Sequence, residues 1–341
     1  IYDLGRPSKE AVAVLKDAFV GILAAGAKLM VISGNHDNSV KLGFSGAFSA
    51  AAGLHLFTDV AEVATPIELR DEHGAVDFYG IPFIQPELHR GLLWMPDNAN
   101  SQHVALEAAV GEVKRSIKSR NAKGRRSIVL SHTFVAEAQS ESSDSERAIT
   151  AGGVDAVPKN IFEGIDYTAL GHIHGKAVLE PNVRYSGAVL HYSFKEAGKD
   201  RGGWLVDIVP GKELDVSWIP FSVPRPLIEI KGSFNELLTA AKWDKYENYY
   251  VQAVYTNQAR EIDAMTRLRV RFPYCANVLH LPEGGSSKNE STYREQIQGK
   301  SDFEIIEGFL QHVRNGEGLS KEEVPIIQEI LSEVTNQEAN K

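Results

Sequence analysis

Lys28-Leu29-Met30-Val31-Ile32-Ser33-Gly34-Asn35-His36-Asp37 is the stretch on which the reading of this chain turns. A short apolar run breaks at a glycine into a polar turn that carries an asparagine, a histidine and an aspartate. Two other stretches have the same form. Ser127-Ile128-Val129-Leu130 runs into Ser131-His132, and Tyr167-Thr168-Ala169-Leu170 runs into Gly171-His172-Ile173-His174. Apolar runs of this length, bounded by turn residues, are expected to be buried strands. In open α/β sheets, ligands bind just beyond the carboxyl ends of strands. Four histidines and an asparagine at three strand ends therefore predict one metal-binding cleft, assembled from distant segments.

The chemistry follows from the residue types. Neutral imidazole is the commonest nitrogen ligand of metals. Imidazole together with oxygen ligands suits manganese, zinc or iron better than magnesium or calcium. His172 and His174 lie one residue apart, and Gly171 is expected to loosen the backbone so that both rings can be aimed, one at each of two neighbouring metals. Asn35 can offer an amide oxygen and His132 another nitrogen. His36 is a candidate to protonate a leaving oxygen. Paired metals about 3.5–4 Å apart clamp the attacking and leaving oxygens of a phosphate ester, so hydrolysis of such an ester is the expected reaction.

His55, His73, His89, His103, His280 and His312 are expected to be hydrogen-bonded structural residues, and His191 is left open. Nucleophilic chemistry has little support, because no Gly-x-Ser-x-Gly elbow is present. No Gly-x-Gly-x-x-Gly follows the first strand, and Gly171 to Lys176 misses the phosphate-loop spacing, so any ATP dependence would come from another chain.

The 341 residues suffice for one large domain and one or two small ones. A hydrophobic content of 43% with 24% charged residues is ordinary for a soluble globular protein. No run of about 18 apolar residues suggests a membrane span, and no signal peptide opens the chain. Ile1 stands where a methionine would, so a fragment or processed form is expected. Cys275 is the single cysteine, which excludes an intrachain disulfide and fits a reducing cytoplasm. It is expected to be a packed core residue. The formal net charge of −9 disfavours nucleic acid globally. Locally, Lys114, Arg115, Lys118, Arg120, Lys123, Arg125 and Arg126 form a basic run. It is read first as a solvated helix end, and alternatively as a contact for phosphates.

Helices are expected over 9–25, with Val12, Leu15, Phe19 and Ile22 on the buried face, and over 102–120, with Val104, Leu106, Ala109, Val113 and Ile117. A tight helix is expected near 47–53 and a strand over 75–84. The polar, acidic segment 137–153 reads as a loop, either a flap over the cleft or a surface excursion. Strands near 183–187, 203–208 and 215–219 suggest a second sheet and a layered α/β sandwich. Val223-Pro224-Arg225-Pro226 marks a break. Beyond it the pattern restarts as a small α+β domain of about sixty residues: strand, helix, strand, helix, strand. A linker near 284–289 precedes two helices. Ser301-Asp302-Phe303-Glu304 and Ser320-Lys321-Glu322-Glu323 each match the capping box. The faces Phe303, Ile306, Phe309, Leu310, Val313 and Val324, Ile327, Leu331, Val334 suggest partner binding.

The three histidine turns, in this order, resemble the later motifs of the calcineurin-like metallophosphoesterases. Leu130 to Val135, Asp166 to His174, Tyr185-Ser186-Gly187 and Tyr192-Ser193-Phe194, with the domain order, bring the chain closest to the SbcD-type nuclease subunits of bacterial SbcC–SbcD complexes. The resemblance implies an α/β/β/α metallophosphoesterase sandwich over 1–222, a capping domain over 223–283, and linker and partner-binding helices over 284–341. It implies a manganese-dependent double-strand exonuclease and single-strand or hairpin endonuclease with two divalent metal ions. Asn35, His132 and His172 would bind one ion and His174 the other, with His36 as the catalytic histidine. It implies DNA, an SbcC-type ATPase and a second copy of the chain as partners, with no membrane.

The family's first Asp-x-His and Gly-Asp turns are not found in this chain. Ile1-Tyr2-Asp3 aligns just after Gly-Asp, and an N-terminally truncated chain is therefore expected. A different phosphodiesterase or phosphatase, and a non-catalytic DNA-binding scaffold, are the alternative readings.

Overall fold

The computed structural model describes residues 1–89, 91–120, 124–135, 157–282, 300–313 and 318–339. The acidic segment 137–153, the linker 284–289 and Lys123 lie outside the described residues. The chain has mixed α/β content and divides into two compact units, Ile1–Pro224 and Arg225–Lys341.

In the first unit, α1 (Lys9–Ala24) starts at Ser8, whose hydroxyl accepts from the Ala11 N–H and so satisfies one of the free donors of the first turn. Its expected buried face is not realised: α1 buries no side chain, and Val12 and Ile22 stay exposed with Val14 and Val20. The apolar spacing formed the helix, but its contact with β1 leaves Leu15, Phe19 and Leu23 only half-buried. β1 (Leu29–Ile32) pairs in parallel with β2 (Leu54–Phe57). Two short helices, α2 (Ser39–Gly43) and α3 (Gly46–Ala50), lie between these strands.

The main sheet has six strands in the order β3-β4-β5-β6-β8-β7. Its centre is parallel: β4 (Gly74–Ile81), β5 (Arg126–His132), β6 (Tyr167–Gly171) and β8 (Val183–Tyr185). Antiparallel edge strands flank it, β3 (Ile67–Asp71) against β4 and β7 (Ala177–Glu180) against β8. Parallel strands are covered on both faces and read as continuous apolar runs, as Val76, Tyr79 and Ile81 on β4 illustrate. α4 (Gln102–Arg120) buries Ala105, Leu106, Ala109, Val110 and Val113 in the core that includes Tyr79, Val129, Phe162 and Tyr185. The Phe83 N–H donates to the Ser33 carbonyl at 3.0 Å, which ties the end of β1 to the end of β4. A hairpin of β9 (Gly202–Asp207) and β10 (Asp215–Pro220) completes this unit.

The basic run divides: Arg115 and Lys118 stay exposed at the helix end as expected, and the last three arginines turn to carboxylates. Arg120 and Arg125 converge on the buried carboxylate of Asp77, at 2.9 and 2.6 Å, and both reach Glu68. Arg126 forks onto Asp71. These guanidiniums are committed to carboxylates, so neither a solvated helix end nor a phosphate-binding row describes them.

In the second unit, β11 (Leu227–Gly232), β12 (Tyr250–Tyr255) and β13 (Cys275–His280) form one parallel sheet. α5 (Phe234–Thr239) and α6 (Ala264–Arg271) pack on one face around Ile230, Phe234, Leu237, Val251 and Leu268. The unit is therefore a β-α-β-α-β alternation with every ladder parallel, and not the α+β arrangement expected. Parallel neighbours require crossover helices, and α5 and α6 supply them. Cys275 is buried here, and burial pushes its thiol pKa up.

Two further helices follow, α7 (Asp302–Val313) and α8 (Glu323–Ala339). Both capping boxes form: the Ser301 N–H donates to Glu304 at 2.8 Å, and the Ser320 N–H to Glu323 at 2.9 Å. Phe309, Ile326 and Ile330 are exposed. No described helix is long and apolar enough to cross a membrane.

Candidate functional site

The turn after β1 is closed by a residue that sequence reasoning overlooked. Asp37 accepts from the Gly34 N–H at 2.7 Å and from the Tyr2 N–H at 2.8 Å. This carboxylate fixes the loop that presents Asn35 and His36. His36 Nδ1 lies 2.9 Å from the Asp3 carbonyl oxygen, so Nδ1–H donates there.

β5 runs two residues further than the apolar pattern indicated and ends on His132 itself. His132 Nε2 and Asn35 Oδ1 stand 3.0 Å apart. The ring has glycine on both sides: a Cβ on Gly34 would sit 2.7 Å from His132 Cε1, and one on Gly171 would sit 3.2 Å from Nδ1. Only glycine permits so close an approach. Past His132, Tyr185 holds the departing chain. Its hydroxyl donates to the Thr133 carbonyl at 2.7 Å and accepts from the Val135 N–H at 3.1 Å.

His172 packs edge-on against His132, with ring centroids 5.5 Å apart. Phe83 and Phe134 close round the pair at 6.2 and 6.3 Å. The expected role for Gly171 moves one residue on. β6 ends at Gly171, and it is His172 that takes φ +115, a conformation side chains other than glycine seldom adopt. Strain of this kind collects at functional sites when the surroundings impose it.

Burial, and then His172, lower the His132 pKa to about 3. Burial, then His174 and His36, lower that of His172 to about 4. Both rings are therefore neutral at pH 7, the form that binds a metal.

His174 is held on all sides. Its Nδ1 lies 2.9 Å from Glu196 Oε1, and its carbonyl accepts from the Arg201 guanidinium and, at 3.0 Å, from the Ala188 N–H. Glu196 also meets Arg201 and the Tyr192 N–H, and both members of the ion pair are buried. Glu196 and Arg201 were not anticipated. A glutamate and an arginine in a stretch of mixed polar residues carry no periodic signal of burial.

His132 thus touches both Asn35 and His172, while His36 follows Asn35 in its turn and His174 lies two residues past His172. Some of the remaining histidines bond to main-chain carbonyls, while the buried His55 Nδ1 has no hydrogen-bond partner among the described residues. His191 Nε2–H donates to the Lys199 carbonyl at 2.9 Å, and His280 Nε2–H to the Asn257 carbonyl at 2.7 Å.

The donor set suits a divalent ion in one respect. With metal–ligand bonds of about 2.1 Å, neighbouring donors of one ion lie about 3 Å apart, which is the separation of Asn35 Oδ1 and His132 Nε2. Among the described residues, however, no three His, Cys, Asp or Glu side chains converge into a ready-made metal cage.

Residues 223–314 match the family model SbcD_C, the type 5 capsule protein repressor C-terminal domain. The match spans the parallel sheet of the second unit and α7. It supports an SbcD-related protein.

Proposed function

We propose that this chain is the nuclease subunit of an SbcC–SbcD-type complex, hydrolysing DNA phosphodiester bonds at the histidine turns within a metallophosphoesterase sandwich. The observation that carries the reading is the contact of His132 with Asn35 and His172, brought from three strand ends, with the SbcD_C match over 223–314 beside it.

Asn35, His132 and His172 would hold one divalent ion, and His174 would contribute to a second. Bound ions, manganese foremost, would supply Lewis-acid polarisation of the scissile phosphate and of a water. The chain's own residues do the rest. Phe83 and Phe134 limit the water around the two neutral imidazoles. The Asp37-clamped turn fixes the main chain that carries His36. With Nδ1–H donated to the Asp3 carbonyl, His36 in its protonated form can pass the Nε2 proton to the leaving 3′ oxygen as the phosphorus–oxygen bond breaks and water adds to phosphorus.

The apolar residues of α7 and α8 are the proposed docking element for the SbcC-type ATPase. A second copy of the chain would cover Val40, Phe44 and Phe48, which are 82%, 85% and 79% exposed on the segment that follows the His36 turn.

The test is degradation of linear duplex DNA in the presence of manganese, compared with turnover of a small phosphodiester. Preference for DNA, and a loss of about 10²–10⁴-fold in His36→Ala, are expected. Equal rates in the variant would remove His36 from the chemistry, and preference for the small diester would favour another phosphodiesterase. A DNA-binding scaffold would instead bind duplex without cutting it.

A further inference from the structure

We infer that Tyr192 is a specificity-determining residue: its ring is a stacking ledge for an unpaired base of a DNA strand whose phosphate lies at the histidine turns. The inference rests on the nuclease reading above and adds to it the form of DNA that the site takes.

The ring is held beside the site and yet open. Tyr192 lies against His174, with ring centroids 5.6 Å apart and planes tilted by 57°. It remains 56% exposed, and Val189 and Leu190 just before it are 55% and 41% exposed. Apolar side chains exposed together, rather than scattered singly, mark contact surfaces.

The segment that carries these side chains is tied down. The Ala188 N–H donates to the His174 carbonyl at 3.0 Å, and His191 Nε2–H to the Lys199 carbonyl at 2.9 Å. Gly187, at φ +81, passes so close to His174 that a Cβ there would lie 2.5 Å from the same His174 carbonyl. Glu196 accepts from the Tyr192 N–H at 3.0 Å and also holds the His174 ring, so tyrosine and histidine share one anchor. A ring fixed in advance loses little freedom when a ligand lands on it.

The chemistry of the ledge selects its ligand. From Gly187 to Phe194 the segment has no lysine, arginine, aspartate or glutamate. It therefore offers no cation to the phosphates of a strand, the usual grip on the backbone. An aromatic face offers a base a stacking partner whatever the sequence, and apolar neighbours can wedge between base steps. Inside a continuous duplex each base is already stacked on both sides. The ledge can then take only a terminal, unpaired or flipped base.

The test uses a short single strand with 2-aminopurine at its 3′ end, whose emission falls when the base stacks on a ring. It is bound to the full chain without divalent ions, so that nothing is cut. The wild type should bind the strand and quench the emission. Tyr192→Ala should weaken binding about 5–150-fold, the usual worth of one stacked base, and lose the quench. Tyr192→Phe should restore both. Tyr192→Leu, which keeps the apolar bulk without the flat ring, should restore neither.

Wild-type binding and quench in Tyr192→Ala overturn the inference. So does a Tyr192→Leu chain that quenches like the wild type, even if the alanine variant fails to fold. Failure of Tyr192→Phe to restore binding overturns it too, since the hydroxyl and not the ring face would then be the contact. A closed duplex circle separates the two readings. If the wild type binds the circle and not the single strand, the inference alone falls; if it binds neither, the nuclease reading falls with it.

Discussion

At the scale of single residues, the site depends on groups that carry no chemistry of their own. Asp37 satisfies the N–H groups of Gly34 and Tyr2 from a fully buried side chain. Asp37→Ala would leave these donors unpaired, at a cost of about 1–3 kcal/mol, measurable by urea unfolding. Gly34 acts by absence. Gly34→Ala would drive a methyl into the His132 ring, so the ring must turn and separate from Asn35. The expected outcome is loss of Mn²⁺ binding by calorimetry with the secondary structure intact by circular dichroism. Asn35, His36, His132, His172 and His174 were legible in the sequence because glycine and histidine at strand ends are local signals. Asp37, Tyr185, Glu196 and Arg201 were not, because each acts on a residue distant in sequence or through a turn geometry that spacing does not encode.

At the scale of elements, strands with continuous apolar runs were the easiest to read, and β4, β5 and β6 lie close to where the residues predict them. β3 and β2 were missed. Ile67-Glu68-Leu69-Arg70 alternates with period two, the mark of a half-buried edge strand, and could have been found. Leu54-His55-Leu56-Phe57 is too short to stand out. Arg120, Arg125 and Arg126 were misread because their partners, Asp71 and Asp77, come from β3 and β4, and the pairing depends on the edge strand that was missed.

The Arg126 guanidinium holds the Asp71 carboxyl at about 2 against the opposing effect of burial. The folded value lies below the unfolded value of about 3.9, so the contribution is complete above about pH 4 and is lost as pH falls towards about 2. The difference in urea midpoint between the wild type and Asp71→Asn should therefore shrink as pH is lowered from about 5 to about 2. A constant difference would contradict the pairing.

At the scale of the molecule, two units carry separable tasks in this account: Ile1–Pro224 holds the histidine turns, and Arg225–Lys341 holds the parallel sheet and the terminal helices. The proline pair at the break was visible in the sequence. The parallel order of β11, β12 and β13 was not, because strand direction is set by crossover connections and not by composition. If α7 and α8 dock on the ATPase, deleting residues 301–341 should abolish capture of an SbcC-type partner in a pull-down and leave the histidine turns intact. Undiminished capture would place the docking surface elsewhere.

The central claim is that the three strand-end turns form one divalent-metal centre. Calorimetric titration of Mn²⁺ into the wild type and into the His132→Ala, His172→Ala double variant tests it most directly. Saturable binding in the wild type, lost in the double variant while the fold persists, is the predicted result. Equal binding by the two chains would contradict it.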